Sequence, residues 1–196
     1  MRALNRFEGH LRTLEMTRKK IERLYSQQLL VRRDVERVYE GLYLDAITSL
    51  EATIEDLFIR IVTGRSSPAG VVVRVSFNSS QVARDVMLGG ERKYLDWLPY
   101  SRTEKRAKAF LRGGRPFTRL SSGDKRVLEE MLIIRNAIAH KSPHARKRFQ
   151  EFASNFPLIS RERTPAGFLR SKIDPTTTRY QFYVSEMVRI IQLLSQ

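Results

Sequence analysis

The longest regular pattern in this sequence is a run of apolar residues spaced three and four apart between Val35 and Ile61. This spacing places the apolar side chains on one face of an α-helix, so it predicts a long amphipathic helix over residues 34–64. Gly64 adopts a left-handed backbone at low cost, which makes it a suitable end for that helix. A helix of this length is stable when its apolar face packs against other helices. The run therefore favours an all-α bundle.

Shorter segments with the same spacing lie on both sides of this run. An apolar stripe that starts at Leu4 predicts a helix over residues 3–30, within the basic segment 1–33. A similar stripe predicts a C-terminal helix over residues 178–195. Further helices are predicted near residues 80–88, 91–97, 101–112, 124–142 and 144–153, and the rest of the segment 143–178 is expected to be irregular.

The helical pattern is interrupted between residues 65 and 80. Ser-Ser-Pro-Ala-Gly predicts a turn, and residues 71–77 form either a short strand or an apolar loop that packs on the helices. Ser101 and Glu104 have the spacing of a capping box, which predicts the start of a helix. We therefore expect one domain, 1–196, that is an all-α, up-and-down helical bundle with a small non-helical insertion near residues 65–80.

The charge of the chain is strongly positive, with 36 lysine and arginine residues against 21 aspartate and glutamate residues and a net charge of +15. The excess is concentrated in residues 1–33, 92–126 and 141–172, whereas the long helix at 34–64 is acidic. Each basic block taken alone is typical of a solvated surface. Three such blocks on a chain of 196 residues favour a polyanionic partner, and the arginine-rich composition favours phosphate as its anionic group.

Several classes of protein are excluded by what the sequence lacks. It contains no cysteine, which rules out disulfides, a thiol nucleophile and cysteine-ligated zinc or iron–sulfur sites. No apolar run approaches the length of about 18 residues that a membrane-spanning helix needs, and no signal peptide is expected. We expect a cytoplasmic protein that does not enter a membrane.

Acid–base chemistry by imidazole is limited to three histidines. His10 lies among polar residues of the first helix and is expected on the surface. His140 and His144 have the four-residue spacing of a zinc-binding pair, but Pro143 interrupts the helix between them and no third ligand is near. No metal site or other cofactor is therefore expected.

Residues 133–140, Ile-Ile-Arg-Asn-Ala-Ile-Ala-His, place Arg135, Asn136 and His140 at the end of an apolar helix, here called the motif helix. A metal-independent ribonuclease can use these side chains. Imidazole titrates near neutral pH, so it can take the proton of the 2′-hydroxyl or protonate the leaving 5′-oxygen. Arginine can hold the phosphate and offset the charge that develops on it, while asparagine can orient the histidine or the phosphate. The alternative is a helix end at which these polar side chains are simply solvated.

Helical geometry separates these three residues. At about 100° per residue, Asn136 and His140 lie about 40° apart around the axis, whereas Arg135 and His140 lie about 140° apart. One helix is therefore not expected to direct both Arg135 and His140 at one phosphate. Two copies packed across a two-fold axis could do so, and they would also supply two histidines, one as base and one as acid. The spacing thus favours a homodimer that forms through the motif helices.

The Arg-Asn-x3-His segment resembles the signature of the HEPN superfamily, in which an arginine precedes a histidine by about four to six intervening residues. The similarity extends to residues 50–58 of the long helix, to residues 115–120 ahead of the motif, and to the tail from residue 163. The tail is similar to the end of the MAE_28990-type and RiboL-PSP-type HEPN groups. The resemblance covers roughly residues 35–196.

The resemblance implies an α-helical bundle that dimerises through facing motif helices, with RNA as substrate. It implies a metal-independent endoribonuclease that leaves a 2′,3′-cyclic phosphate and a 5′-hydroxyl. In this chain Arg135 would bind the scissile phosphate, Asn136 would position the phosphate or His140, and His140 would act as acid and base. HEPN ribonucleases are often toxins or effectors of phage defence, which implies an antitoxin or defence-system protein as a partner.

One departure from the superfamily concerns regulation. HEPN toxins that are inactivated by nucleotidyltransferase antitoxins carry a tyrosine two residues after the histidine. Here Lys141 and Ser142 follow His140. Inactivation by adenylylation of that tyrosine is therefore not expected.

The basic blocks on both sides of the motif are expected to wall a cleft and hold the RNA backbone. The residues concerned are Lys141, His144, Arg146, Lys147, Arg148, Arg115 and Arg119. Two other functions remain open. One is a non-catalytic HEPN-like module that binds RNA or DNA, and the other is an interaction protein whose basic surface meets an acidic partner such as an antitoxin.

Aromatic residues could also stack on RNA bases. In this chain they occur mostly at apolar helical spacing or beside other apolar residues, which is more typical of a core. We therefore expect the stacking candidates to lie in the core: Tyr94, Trp97, Tyr100 and Phe117. For Tyr39 and Tyr43 of the long helix, we expect core or interface positions rather than a catalytic pair.

Overall fold

The structure is a computed structural model that describes residues 2–89 and 95–196. Over these residues the chain forms eight α-helices, and the only β contacts are two isolated bridges. The predicted all-α fold is confirmed. The helices are α1 (Arg2–Ser26), α2 (Arg32–Val62), α3 (Ser80–Leu88), α4 (Tyr100–Phe110), α5 (Ser122–Ala139), α6 (Pro143–Ala153), α7 (Pro165–Arg170) and α8 (Arg179–Ser195).

The chain divides into two compact units. The first unit contains the start of α1 up to Phe7, Leu50–Glu129 and Val188–Gln196, and the second contains Glu8–Ser49 and Glu130–Met187. The boundaries fall inside α1, α2, α5 and α8, so each of these helices contributes residues to both units. The Arg-Asn-x3-His segment belongs to the second unit.

The first unit has an aromatic core around Phe58, whose ring packs against Trp97 and Phe117 at centroid distances of 5.2 and 5.3 Å. Trp97, Tyr100 and Phe117 are all buried, which confirms the expectation that these three are core residues. Tyr94 lies outside the described residues. These three side chains are therefore committed to packing and are not available for stacking on bases.

The segment between α2 and α3 is an irregular loop, which is the second of the two predicted alternatives. Its β contact is an isolated antiparallel bridge between Val73 and Leu111. Val72 and Val75 are 50% and 44% exposed. At the end of this segment, Phe77 is half-buried and packs against Phe110 of α4 at a centroid distance of 5.7 Å.

Two expectations around α4 are corrected. The capping box predicted at Ser101 and Glu104 is absent, because α4 begins one residue earlier, after Pro99, which offers no side-chain acceptor. Glu104 forms an ion pair of 2.7 Å with Lys125 instead of turning back to the start of its helix. Of the helix predicted at 91–97, residues 91–94 lie outside the described residues and residues 95–97 are not helical.

The motif helix, α5, begins with a capping box of its own. Ser121 Oγ accepts from the Asp124 backbone N at 3.1 Å, and Asp124 Oδ2 accepts from the Ser121 backbone N at 2.8 Å. The helix starts at Ser122 rather than at Asp124, and it ends at Ala139 rather than at residue 142.

The early end of α5 follows from the start of α6. Ser142 caps α6, since its Oγ accepts from the Ala145 backbone N at 3.2 Å, and Pro143 occupies the first turn. Proline restricts the residue before it to an extended backbone, so α5 cannot continue through Ser142. Residues 140–142 therefore link the two helices, and His140 is the first residue of the link.

Tyrosines of α2 and α8 form the core of the second unit. Tyr39 packs edge-on against Tyr180 at 5.6 Å, and Tyr43 packs edge-on against Tyr183 at 6.4 Å. The Tyr43 hydroxyl donates to the Met131 carbonyl of α5 at 3.2 Å. Tyr39 and Tyr43 are fully buried, as expected. These contacts hold the C-terminal half of the motif helix in place.

Candidate functional site

Arg135, Asn136 and His140 meet at the C-terminal end of α5. Arg135 Nη1 donates to Asn136 Oδ1 at 3.0 Å, and the same nitrogen lies 3.2 Å from His140 Nε2. Arg135 and Asn136 are half-buried, whereas His140 is exposed. The three side chains thus form one cluster that a ligand can reach from solvent.

This cluster corrects the expectation that a single motif helix would keep Arg135 and His140 apart. The angle of about 140° holds for two residues inside a helix. His140, however, lies beyond the last helical residue, Ala139, and keeps only a backbone hydrogen bond to the Asn136 carbonyl at 2.9 Å. The imidazole can therefore turn towards the long arginine side chain. One chain is sufficient to bring the arginine and the histidine together.

In the contact between Arg135 and His140, the imidazole nitrogen is the acceptor, because a guanidinium group only donates. Asn136 Oδ1 accepts a hydrogen bond from the same Arg135 nitrogen. Among the contacts of the described residues, the Nε and Nη2 donors of Arg135 have no protein partner. These are the donors that a phosphate would use.

An open pocket of about 380 Å³ lies beside His140 in the second unit. Its cationic lining consists of Lys141, Arg146 and Arg163, and apolar residues of α5 and α6 complete the walls. Glu40 of α2 is the acidic residue among its lining residues. The pocket therefore combines an imidazole, several positive charges, one carboxylate and an apolar surface.

Glu40 is half-buried, and its carboxylate makes no hydrogen bond or ion pair with any described residue. Burial raises the pKa of Glu40, and the neighbouring charge of Glu36 raises it further. Arg37 and Lys141 act in the opposite direction without reversing the shift. This carboxylate is thus an acceptor without a partner in a pocket lined with donors.

The predicted RNA-binding residues belong to both compact units, and only some of them line the pocket. Lys141 and Arg146 lie at the pocket with His140. The other residues of this group are all exposed: His144, Lys147 and Arg148 are on α6, and Arg115 and Arg119 are in the first unit, before α5.

Lys147 and Arg119 each contact another group of the protein. Lys147 lies 3.9 Å from Glu151, one turn further along α6. Arg119 donates to the Ala69 carbonyl at 3.4 Å. Both are weak, exposed contacts that a polyanion could replace.

Two residues of the pocket, Glu40 and Arg163, were not predicted from the sequence. Arg163 belongs to the basic block 141–172, but nothing local distinguishes it from the other cations. For Glu40 there is a signal, since Glu36 and Glu40 are like charges four residues apart on one helix, which is unfavourable without nearby cations. Glu36 is paired with Arg32 at 2.5 Å, whereas Glu40 faces the pocket.

His10 lies on α1, where its Nε2 is 3.0 Å from Asp45 Oδ1. Within residues 2–89 and 95–196, no three His, Asp or Glu side chains come together in an arrangement that could hold a metal ion. In the same ranges, no helix has both the length and the apolar character needed to cross a membrane.

Comparison of the chain with models of known protein families, with curated proteins and with solved structures finds no match. The function of the site is therefore inferred from its own residues.

Proposed function

We propose that the chain is a HEPN-type ribonuclease that cleaves RNA without a metal ion, with Arg135, Asn136 and His140 at its reaction centre. The observation that carries this proposal is the 3.2 Å contact between Arg135 Nη1 and His140 Nε2 at an open helix end. An anion-binding group and a proton acceptor are thus adjacent. Lys141 and Arg146 beside them provide further positive charge for the backbone of RNA.

In the proposed reaction, a phosphate of RNA binds the Nε and Nη2 donors of Arg135, and His140 Nε2 leaves Arg135 Nη1 for the 2′-hydroxyl of the substrate. That nitrogen removes the proton of the 2′-hydroxyl, the 2′-oxygen forms a bond to phosphorus, and the bond from phosphorus to the 5′-oxygen breaks. The leaving 5′-oxygen takes up a proton from a protonated histidine. Arg135 stabilises the negative charge that builds up on the phosphoryl oxygens. The products are a 2′,3′-cyclic phosphate and a 5′-hydroxyl.

We propose that the active form is a homodimer, because the reaction needs two histidines, one as base and one as acid. The contact within one chain removes the need for a second chain to supply the arginine. The reaction still needs a base and an acid, and each chain contributes one histidine at its motif. His140 of a second copy would provide the other proton carrier. A role as a toxin or phage-defence effector with an antitoxin partner rests on the family resemblance.

The test is to incubate the protein with total RNA in the presence of EDTA, comparing wild type with Arg135→Ala and His140→Ala. We expect the wild type to cleave in chelator and to leave cyclic phosphate ends. Each substitution should lower the rate by at least about a hundredfold, because each removes a group that acts in the transition state. His10→Ala is the matched control and should cleave at the wild-type rate.

Two outcomes would contradict the proposal. Cleavage that survives both substitutions would show that another site or a contaminant is responsible. Salt-sensitive RNA binding by a wild type that never cleaves would favour the non-catalytic binding module instead. The His140→Ala protein should keep its affinity for RNA, since the cations around the pocket remain.

A further inference from the structure

The pocket beside His140 contains one group that does not suit a phosphate. Lys141, Arg146 and Arg163 attract phosphate, whereas the carboxylate of Glu40 in the same lining repels it. Placing an unpaired carboxylate partly out of water is unfavourable unless a ligand or partner donates hydrogen bonds to it. The ligand of this pocket should therefore present hydrogen-bond donors as well as an anionic group.

A nucleotide has both parts. Its phosphate matches the cations, and the edge of its base carries N–H donors and carbonyl or ring-nitrogen acceptors. The pocket also has apolar walls, including the half-buried side chains of Ile138 and Pro165, against which the face of a base can lie. Its volume of about 380 Å³ is in the range of pockets that hold ligands of this size.

The four bases differ in how well they match a carboxylate. An ionised carboxylate is an acceptor only, with two oxygens in one plane. Guanine presents two adjacent donors, N1–H and N2–H, on its Watson–Crick edge. Adenine and cytosine each present one amino donor next to an acceptor nitrogen, and uracil presents one imino donor between two carbonyls. Guanine alone can therefore engage both oxygens without placing a lone pair against them.

We propose that this pocket binds a guanine nucleotide of the RNA, and that Glu40 selects the base by accepting hydrogen bonds from guanine N1–H and N2–H. The inference rests on the ribonuclease function proposed above, for which Glu40 would be a specificity-determining residue. Lys141 or Arg146 can donate to guanine O6, beside the two donors, and so complete the recognition of that edge. RNA would then be cleaved next to guanosine.

The test is calorimetric titration of the full chain with the 3′-monophosphates of guanosine, adenosine, cytidine and uridine, and with inorganic phosphate. These ligands cannot be cleaved, so binding is measured apart from catalysis. We expect guanosine 3′-monophosphate to bind about tenfold to a hundredfold more tightly than the other three, as for a two-point hydrogen-bonded contact to a base.

The variant Glu40→Gln makes the test more specific. Its amide has an acceptor beside a donor, which match the amino group and neighbouring ring nitrogen of adenine or cytosine. We expect the preference for guanosine to be lost and the affinities for adenosine and cytidine 3′-monophosphates to rise relative to it. Asp45→Asn is the matched control, because it removes one negative charge from α2 away from the pocket lining and should leave the order of affinities unchanged.

The outcomes separate this inference from the proposed function. Equal affinity for the four nucleotides, or a uniform gain in affinity on Glu40→Gln, would overturn the inference, because both indicate charge repulsion alone. RNA cleavage without preference for guanosine would leave the ribonuclease proposal intact and reject the selection by Glu40. Guanosine-selective binding by a chain that never cleaves RNA would reject the ribonuclease proposal and leave the selection of guanine by Glu40 intact.

Discussion

Asp124 is the residue that anchors the start of the motif helix. Its carboxylate accepts from both the backbone N and Oγ of Ser121 at 2.8 Å, and it forms an ion pair with Arg189 of α8 within the first unit. Burial alone would raise the pKa of Asp124, but the hydrogen bonds from Arg189 and Ser121 outweigh it and hold this pKa below its ordinary value. The ionised form thus stabilises the fold.

We expect Asp124→Asn to lower the free energy of unfolding by about 1 kcal/mol at neutral pH, since the amide keeps the cap but loses the charge. A lowered pKa in the folded state means that the contribution is present above the ordinary aspartate pKa and is lost as the pH falls through the folded value. The difference from wild type should therefore shrink in acid.

Urea denaturation at about pH 7 and about pH 3 would measure this difference. Asp56→Asn, which breaks the pair of Asp56 with Arg60 one turn along α2, is the control and should change stability less. A difference that stays constant with pH would contradict the assignment.

For single residues, the sequence indicated which side chains form the candidate site but not how they are arranged. The types and order of Arg135, Asn136 and His140 were sufficient to propose the chemistry. Their contact depends on the helix ending at Ala139, and that end is decided by the cap of the following helix. Glu40 could not be placed at the pocket, because its distance in sequence from His140 makes the proximity a tertiary property.

Helix α6 is the element that connects the motif to a basic surface. One face packs into the protein through Ala145, Phe149 and Ala153, which are buried. Arg146, Lys147 and Arg148 lie between these positions and are exposed. The short link from α5 places this cationic side directly after His140 in the chain, where the backbone of a bound RNA would need neutralising charge.

Replacing Arg146, Lys147 and Arg148 by Gln should raise the KM for RNA and flatten its dependence on salt, while lowering kcat less. Each phosphate contact that is lost removes part of the counterion release that drives binding. Steady-state cleavage of an RNA substrate at several salt concentrations measures both effects.

The control replaces Lys19, Lys20 and Arg23 of α1, which are equally exposed, by Gln. It should leave the KM unchanged. Equal effects of the two triple variants would mean that general charge, rather than α6, binds the RNA.

Helices with a long apolar stripe were predicted well from the sequence, as α2 and α8 show. The prediction was poorer where a single turn or a cap decides the structure. α7 was not predicted, because six residues are too few for periodicity, and its start depends on Thr164 Oγ1 accepting from the Gly167 backbone N at 3.0 Å. The false capping box at Ser101 arose because a side-chain spacing does not report which residues are drawn into tertiary contacts.

For the molecule as a whole, activity measured in mixtures of wild type and an inactive variant would show how many chains the active form contains. Wild type is combined with an Arg135→Ala/His140→Ala double variant under conditions that exchange subunits, at a constant total concentration. If both chains contribute to one site, activity should fall with the square of the wild-type fraction, to about a quarter in an equal mixture. If each chain works alone, about half should remain.

Sedimentation of the same samples provides the control for this experiment, since it shows whether dimers form and exchange. A monomer with full activity would contradict the proposed dimer. It would not affect the assignment of Arg135 and His140, whose contact lies within one chain.

Because residues 140–142 link α5 to α6, the position of His140 depends on both helices. The two helices are joined by residues 140–142 alone, and His140 is the first of these three residues. A tilt of α6 has to be absorbed by the backbone at residues 140–142, which would swing the imidazole away from Arg135. The proposed reaction would then be sensitive to a protein that binds the outer side of α6, without entry into the pocket or contact with the histidine.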